Sequence, residues 1–163
     1  MPLDEVDELV AAWRRERPDL PVEPMQIWSR VKRLAEHLDA ARREAYAAHD
    51  LEAWEFDVMA ALRRSGEPYQ LTPGRLIRET RVTSGTMTNR VDRLVARRFV
   101  TREAHPDDGR GVLVGLTPAG RRRVDAALWS LLQSEEGLLA GVPDAQRAQL
   151  AAALRALLLA QSE

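Results

Sequence analysis

The chain has 163 residues, 45% of them hydrophobic, with four Trp, no Cys and 24 Lys+Arg against 25 Asp+Glu for a net charge of −1, enough for one globular domain with a sizeable core. Zero cysteines exclude a disulfide scaffold, a thiolate zinc site, a thiol nucleophile and a cysteine-based oxidant sensor. No run approaches 18 uninterrupted apolar residues, and Met1-Pro2-Leu3-Asp4-Glu5 lacks both the basic segment and the apolar run of a secretory signal, so the expectation is a soluble, untargeted, cytoplasmic protein.

Taken in chain order, Val6, Leu9, Val10 and Trp13 at helical spacing predict a short helix over 5–17 that stops before Pro18. Asp19 to Pro24 reads as a linker. A long helix over about 24–48 carries Ile27, Trp28, Val31, Leu34, Ala35, Leu38, Ala41 and Ala45 on one stripe. Asp50 is placed to cap the next helix, whose stripe runs Leu51, Trp54, Val58, Ala61 and Leu62 before Ser65-Gly66 ends it. Tyr69 to Leu71 is a short extended piece. Thr72-Pro73 is a cap followed by a first-turn proline, opening a two-turn helix to Thr80.

Arg81 to Thr83 makes a turn, and Thr83 or Ser84 caps a helix to about Arg97 with Met87, Val91, Leu94 and Val95 facing inward. Phe99–Ala104 alternates like a strand, His105 to Gly109 turns, and Val112–Leu116 returns, which is a β-hairpin. Thr117-Pro118 repeats the cap-plus-proline signature and starts a helix with Val124, Leu128, Leu131, Leu132, Leu138 and Leu139 on one face. Gly141 to Pro143 breaks it, and a last helix over about 143–160 carries Leu150, Ala153, Leu154, Leu157 and Leu158. The class this predicts is mainly α with a small antiparallel β wing.

The charge is distributed unevenly. Residues 75–123 hold twelve Arg and five acids, a balance of +7, leaving −8 on the rest. Such segregation suits a surface that approaches a polyanion, or simply a solvated charged face. Within this segment a two-turn helix, a tight turn, a second helix and a hairpin form a winged helix-turn-helix, whose second helix enters the major groove while the hairpin contacts phosphates or the minor groove. At about 100° per residue, Met87, Val91, Leu94 and Val95 share one face and Gly85, Thr86, Asn89 and Arg93 the other. Arg90 lies at the edge of the inward stripe and can reach back toward the body. Candidate DNA contacts are therefore Ser84, Thr86, Thr88, Asn89 and Arg93, with Arg110 in the wing and Asp108 orienting its guanidinium.

The run Asp108-Gly-Arg110-Gly-Val-Leu-Val-Gly-Leu116-Thr117-Pro-Ala-Gly120 resembles the wing signature of the MarR family of transcriptional regulators, and Val82 to Leu94 resembles its recognition helix. Arg98 departs from the family, which usually has Gly after that helix. The resemblance implies a homodimer whose N- and C-terminal helices interlock and whose winged lobes bind adjacent major grooves of a palindrome. It divides the chain into N-terminal helices (1–50), a DNA-binding lobe (51–117) and C-terminal dimerisation helices (118–163) within one structural domain. Independently, the helices over 24–48, 118–139 and 143–160 carry more apolar stripe than one small lobe can cover.

The added N-terminal helix resembles the urate-responsive, PecS-like branch of the family. That resemblance implies a ligand set of Trp13, Asp57, Arg90 and Arg102 and an effector that is a small aromatic or purine anion, urate-like or salicylate-like. A structural ion pair beside a core Trp is the other reading of the quartet. Trp28 and Trp54 read as core or dimer-interface residues. His37, His49 and His105 are scattered, and no phosphate loop, Gly-x-Ser-x-Gly or His-Glu-x-x-His occurs, so no enzyme, metal or cofactor is expected. The alternative from another class is a winged-helix protein-interaction module; the +7 segment and outward Thr86, Asn89, Arg93 and Arg110 favour DNA.

Overall fold

The computed structural model describes residues 3–161 apart from residue 107 and the side chains of residues 108–110. The described residues form seven helices and three strands: α1 (Glu5–Glu16), α2 (Met25–Ala47), α3 (Ala53–Arg64), β1 (Gln70–Leu71), α4 (Pro73–Thr80), α5 (Ser84–Ala96), β2 (Val100–His105), β3 (Asp108–Leu116), α6 (Pro118–Leu138) and α7 (Asp144–Ala160). The mainly helical class with a small antiparallel sheet is the one the sequence predicts.

Apolar stripes on α3, α4 and α5 close around one core. Met59, Leu62, Leu76, Met87, Leu94, Val58, Val91 and Val114 are fully buried there, each contributing about 1.5–3 kcal/mol by removal from water. Val124, Ala127 and Leu131 reach the same core from α6, and the Tyr46 ring at the end of α2 stacks on Phe56 of α3 with centroids 4.3 Å apart.

The helix-turn-helix follows from local chemistry. Thr72 Oγ1 accepts the Arg75 N–H at 3.3 Å and Pro73 occupies the first turn of α4, while Arg81 ends that helix at φ +54°. Thr83 then opens α5 by accepting the Thr86 N–H at 3.4 Å. The sheet order is β1-β3-β2, antiparallel, with Val100 opposite Leu116, Arg102 opposite Val114 and an irregularity at Ala104/His105. The short extended piece at Tyr69–Leu71 becomes a third strand, Gln70 and Leu71 pairing with Gly115 and Val114. Gly120 is required where α6 meets the sheet, because a Cβ there would lie 2.1 Å from the Phe99 carbonyl oxygen.

Three local expectations are corrected. Asp50 does not cap α3: it adopts φ +52° and its carboxylate pairs with Arg97, so the helix opens two residues later at Glu52, whose N–H donates to Glu55 Oε2 at 2.9 Å. Val95 faces solvent instead of the core, since at about 100° per residue it stands roughly 80° from Met87, past the edge of the stripe. The hairpin turn is tighter than His105–Gly109, because β3 already begins at Asp108, paired with His105.

α1 docks on α2 through a separate cluster of Val6, Val10 and Val22 with Met25 against it. Asp4 caps α1, accepting from Val6 N–H at 2.8 Å and Asp7 N–H at 3.1 Å, and Arg30 of α2 grips the same carboxylate with two contacts of 2.8 Å. That fork holds the Asp4 carboxyl down at about 2. No residue of α7 is buried, and Leu150, Leu154, Leu158 and Leu159 are exposed along it. Ile27, Trp28 and Leu34 of α2 and Leu128, Trp129, Leu132 and Leu138 of α6 are likewise exposed. Among the described residues no helix is long and apolar enough to cross a membrane.

Candidate nucleic-acid interface

With Met87, Val91 and Leu94 sealed in the core, α5 turns its opposite side to solvent, and Ser84, Thr86, Thr88, Asn89 and Arg93 are all exposed. Thr83 and Thr86 share a hydroxyl hydrogen bond of 2.9 Å, and the Thr88 hydroxyl donates to the Ser84 carbonyl at 3.1 Å, which fixes the polar tip of the helix. Arg93 Nη2 donates to Glu52 Oε1 at 2.7 Å and its guanidinium lies 4.6 Å from the Trp54 ring centre; Arg90 lies 5.6 Å from the same ring. The Trp54 indole N–H donates to Glu52 Oε2 at 2.8 Å, and this bond, ahead of the one from Arg93, lowers the Glu52 carboxyl below its ordinary value against the opposing effect of burial. Trp54, Gly85, Thr86, Asn89, Arg90 and Arg93 thus line a cleft of about 390 Å³ beside the reading face.

The other end of α5 is held by a buried carboxylate. Glu55, 1% exposed, accepts from Arg97 Nη1 at 2.6 Å, while Arg97 Nη2 donates to the Asp50 carboxylate at 2.6 Å and the Asp50 carbonyl at 2.7 Å. Arg97 also lies 4.8 Å from the Phe99 ring centre. A charge in that environment is tolerable only when paired, and Arg97 caps α5, so the cluster fixes the helix against α3 and the α2–α3 loop. Sequence reasoning missed Glu52, Glu55 and Arg97. The available signal was Glu55 itself, a carboxylate in register with Leu51, Val58 and Leu62 on an apolar stripe.

The structure brings Asp57 and Arg90 of the quartet into electrostatic contact. Partial burial raises the Asp57 carboxyl above its ordinary value, with Arg90, then Arg42 and Arg64, working against the shift. Arg102 stands on β2 across α5 from them, paired with Asp92 at 2.9 Å and lining a separate cleft with Pro73, Thr88 and Val112. Trp13, 44% exposed, lies on α1, which packs on α2. One chain therefore does not gather all four around a common space. The side chains of Asp108 and Arg110 lie outside the described residues. Among the described residues no group of three or more His, Asp or Glu is placed to hold a metal ion.

A helix-turn-helix followed by a hairpin wing, with donors and acceptors exposed on the second helix, defines a DNA-binding protein. The model of the MarR family matches residues 49–111. Over 150 residues the chain is 32% identical to the HTH-type transcriptional regulator PecS of Dickeya dadantii, covering 92% of this chain and 90% of that one. Two solved structures overlay at 26% identity. The cysteine-to-serine mutant of Escherichia coli MarR complexed with operator DNA has a TM-score of 0.71, covering 85% of this chain and 98% of that one. Bordetella bronchiseptica BpsR, a protein whose DNA binding is regulated by 6-hydroxynicotinic acid, has a TM-score of 0.68, covering 85% and 95%. The chain belongs to the MarR family of DNA-binding transcriptional regulators.

Proposed function

We propose that the protein is a cytoplasmic repressor that binds a pseudo-palindromic operator as a homodimer, with half-sites about one helical turn apart. The observation that carries this reading is the division of α5 between a sealed face of Met87, Val91 and Leu94 and an exposed face of Ser84, Thr86, Thr88, Asn89 and Arg93. The exposed side chains read base edges; the wing, with Asp108 and Arg110, takes the adjacent minor groove. The exposed apolar residues of α2, α6 and α7 supply the surface for a second copy, so that residues 1–50 and 118–163 hold the dimer and 51–117 reads DNA.

The effector is a small aromatic or heterocyclic anion, of the urate, purine or salicylate type, and the proximity of Arg90 and Asp57 supports a ligand response through α5. Arg90 sits on the recognition helix, so a ligand that draws its guanidinium changes the separation of the two reading heads. Trp13 and Arg102 complete the ligand set in the dimer. The test is a titration of the DNA upstream of the protein's own gene at fixed salt, alone and with urate, xanthine or salicylate. Specific binding, weakened in Asn89→Ala and Arg110→Ala and released by one of the anions, is expected. Wild-type affinity in both variants would remove α5 and the wing from the reading, and equal loss of DNA binding and ligand response in Asp57→Asn would make the quartet structural.

A further inference from the structure

The exposed side of α5 carries little net charge, although it lies within the Arg-rich segment. Ser84, Thr86, Thr88 and Asn89 are neutral, and the exposed charged residues of α5, Asp92 and Arg93, are both matched. Asp92 pairs with Arg102. Glu52, at the start of α3, accepts from Arg93 Nη2 with Oε1 at 2.7 Å and from the Trp54 indole N–H with Oε2 at 2.8 Å, and the Arg93 guanidinium lies against the Trp54 ring. Arg78 and Arg81, exposed on α4 and in the turn after it, have no ion pair among the described residues. The charge that draws a polyanion therefore stands beside the reading face, and the face itself is close to neutral.

A helix start favours an acid, which accounts for a Glu at residue 52 but not for its engagement with Arg93 and Trp54. As an ion pair between two side chains more than half exposed, the contact adds little to stability. Its effect falls on what Arg93 can bind. The pair spends one of the five N–H donors of the guanidinium, so a fork remains for an acceptor from outside the chain. A phosphate that takes that fork meets the Glu52 carboxylate at close range, and the carboxylate cannot swing aside without giving up the Trp54 N–H. A guanine edge offers N7 and O6 acceptors without a net charge and meets no such repulsion.

We propose that Glu52 is a specificity-determining residue: by holding Arg93 beside its carboxylate it withholds that arginine from the phosphates of arbitrary DNA and reserves it for a base edge. Trp54 is the positioning residue that fixes the carboxylate. The assignment rests on the operator-binding reading and extends it to a side chain that lies outside both α5 and the wing. A device of this kind acts on the ratio between operator and unrelated DNA, because non-specific binding comes almost wholly from phosphate contacts.

The test compares the wild type, Glu52→Gln, Arg93→Ala and the double variant on two duplexes over a range of salt: the tightest sequence that the wild type selects from a random pool, and a scrambled duplex of the same composition. In Glu52→Gln the freed guanidinium gains a phosphate, so affinity for the scrambled duplex is expected to rise with a salt slope steeper by about 0.9, a gain about threefold larger at ~50 mM than at ~200 mM salt. Affinity for the selected duplex is expected to change by less than about twofold, so the ratio between the two falls by about threefold or more at low salt. In the Arg93→Ala background the same substitution is expected to leave the ratio unmoved. An equal rise on both duplexes, as the loss of any negative charge near DNA would give, overturns the assignment. So does an unchanged or raised ratio in Glu52→Gln, or a fall that persists without Arg93. A pool from which the wild type enriches no sequence removes the operator reading and the role of Glu52 with it, whereas a wild type that discriminates and a Glu52→Gln that matches it remove the role of Glu52 alone.

Discussion

The winged lobe and the layer of helices around it use the same apolar periodicity and meet different fates. In α3, α4 and α5 the stripe is sealed inside one chain, with Leu62, Leu76 and Leu94 at 0% exposure. In α6 and α7 residues at the same spacing lie open, Trp129 at 66% and Leu158 at 70%. Helical spacing shows which face is apolar, and whether that face finds its cover within the chain depends on tertiary contacts. The lobe's stripes are covered within the chain, closed by Tyr46 of α2 and by Val124, Ala127 and Leu131 of α6, whereas α7 and the outer faces of α2 and α6 leave apolar surface open.

The largest effect belongs to the lobe's buried ion pair. Removing the guanidinium in Arg97→Ala leaves the buried Glu55 carboxylate without its partner and is expected to lower stability by about 3–5 kcal/mol in urea unfolding; a change below about 1 kcal/mol would show that the carboxylate is not held as described. Next comes the contrast itself. Leu62→Ala in the lobe is expected to cost about 2–5 kcal/mol, while Leu132→Ala, half-exposed in one chain, is expected to act through association, with an effect on the unfolding midpoint that depends on protein concentration. Similar, concentration-independent losses would erase the distinction between the regions.

Leu154→Asp combined with Leu158→Asp puts charge on the open face of α7 and is expected to lower operator affinity by about a hundredfold or more through loss of the second reading head; unchanged binding would leave α7 without a role in assembly. Arg98→Gly should raise stability by about 0.5–1 kcal/mol, because Arg98 sits at φ +60°, a conformation a glycine adopts without steric cost. The smallest effect is at α1. The Asp4 carboxyl is held at about 2 by Arg30, below its ordinary value, so its contribution is full above about pH 4 and is lost as pH falls toward 2. Amide protection in α1, taken relative to the unfolded-chain exchange rate at each pH, is expected to fall over that window in the wild type and to be lower, with no such step, in Asp4→Asn.

Much of the fold was legible because its signals are local. Thr72-Pro73 and Thr117-Pro118 mark two helix starts by hydroxyl capping and a pre-set φ, and both mark them in the structure. The third strand was not legible, since Gln70 and Leu71 gain strand character only from β3, more than 40 residues later. Asp50 misled for a related reason: an Asp before an apolar stripe reads as a cap until Arg97, 47 residues on, claims its carboxylate. At the candidate interface, the outward face of α5 followed from its period, but the engagement of Arg93 by Glu52 and Trp54 is a contact across 41 residues that no spacing rule contains.

The most direct measurement is sedimentation velocity of the purified chain, alone and with a duplex carrying the DNA upstream of its own gene. The proposed assembly predicts a species of twice the 18.3 kDa chain mass for the protein alone and, with the duplex, that mass added to the duplex's, two chains on each specific duplex. A single chain in solution that binds one half-site as tightly as the whole operator would contradict it.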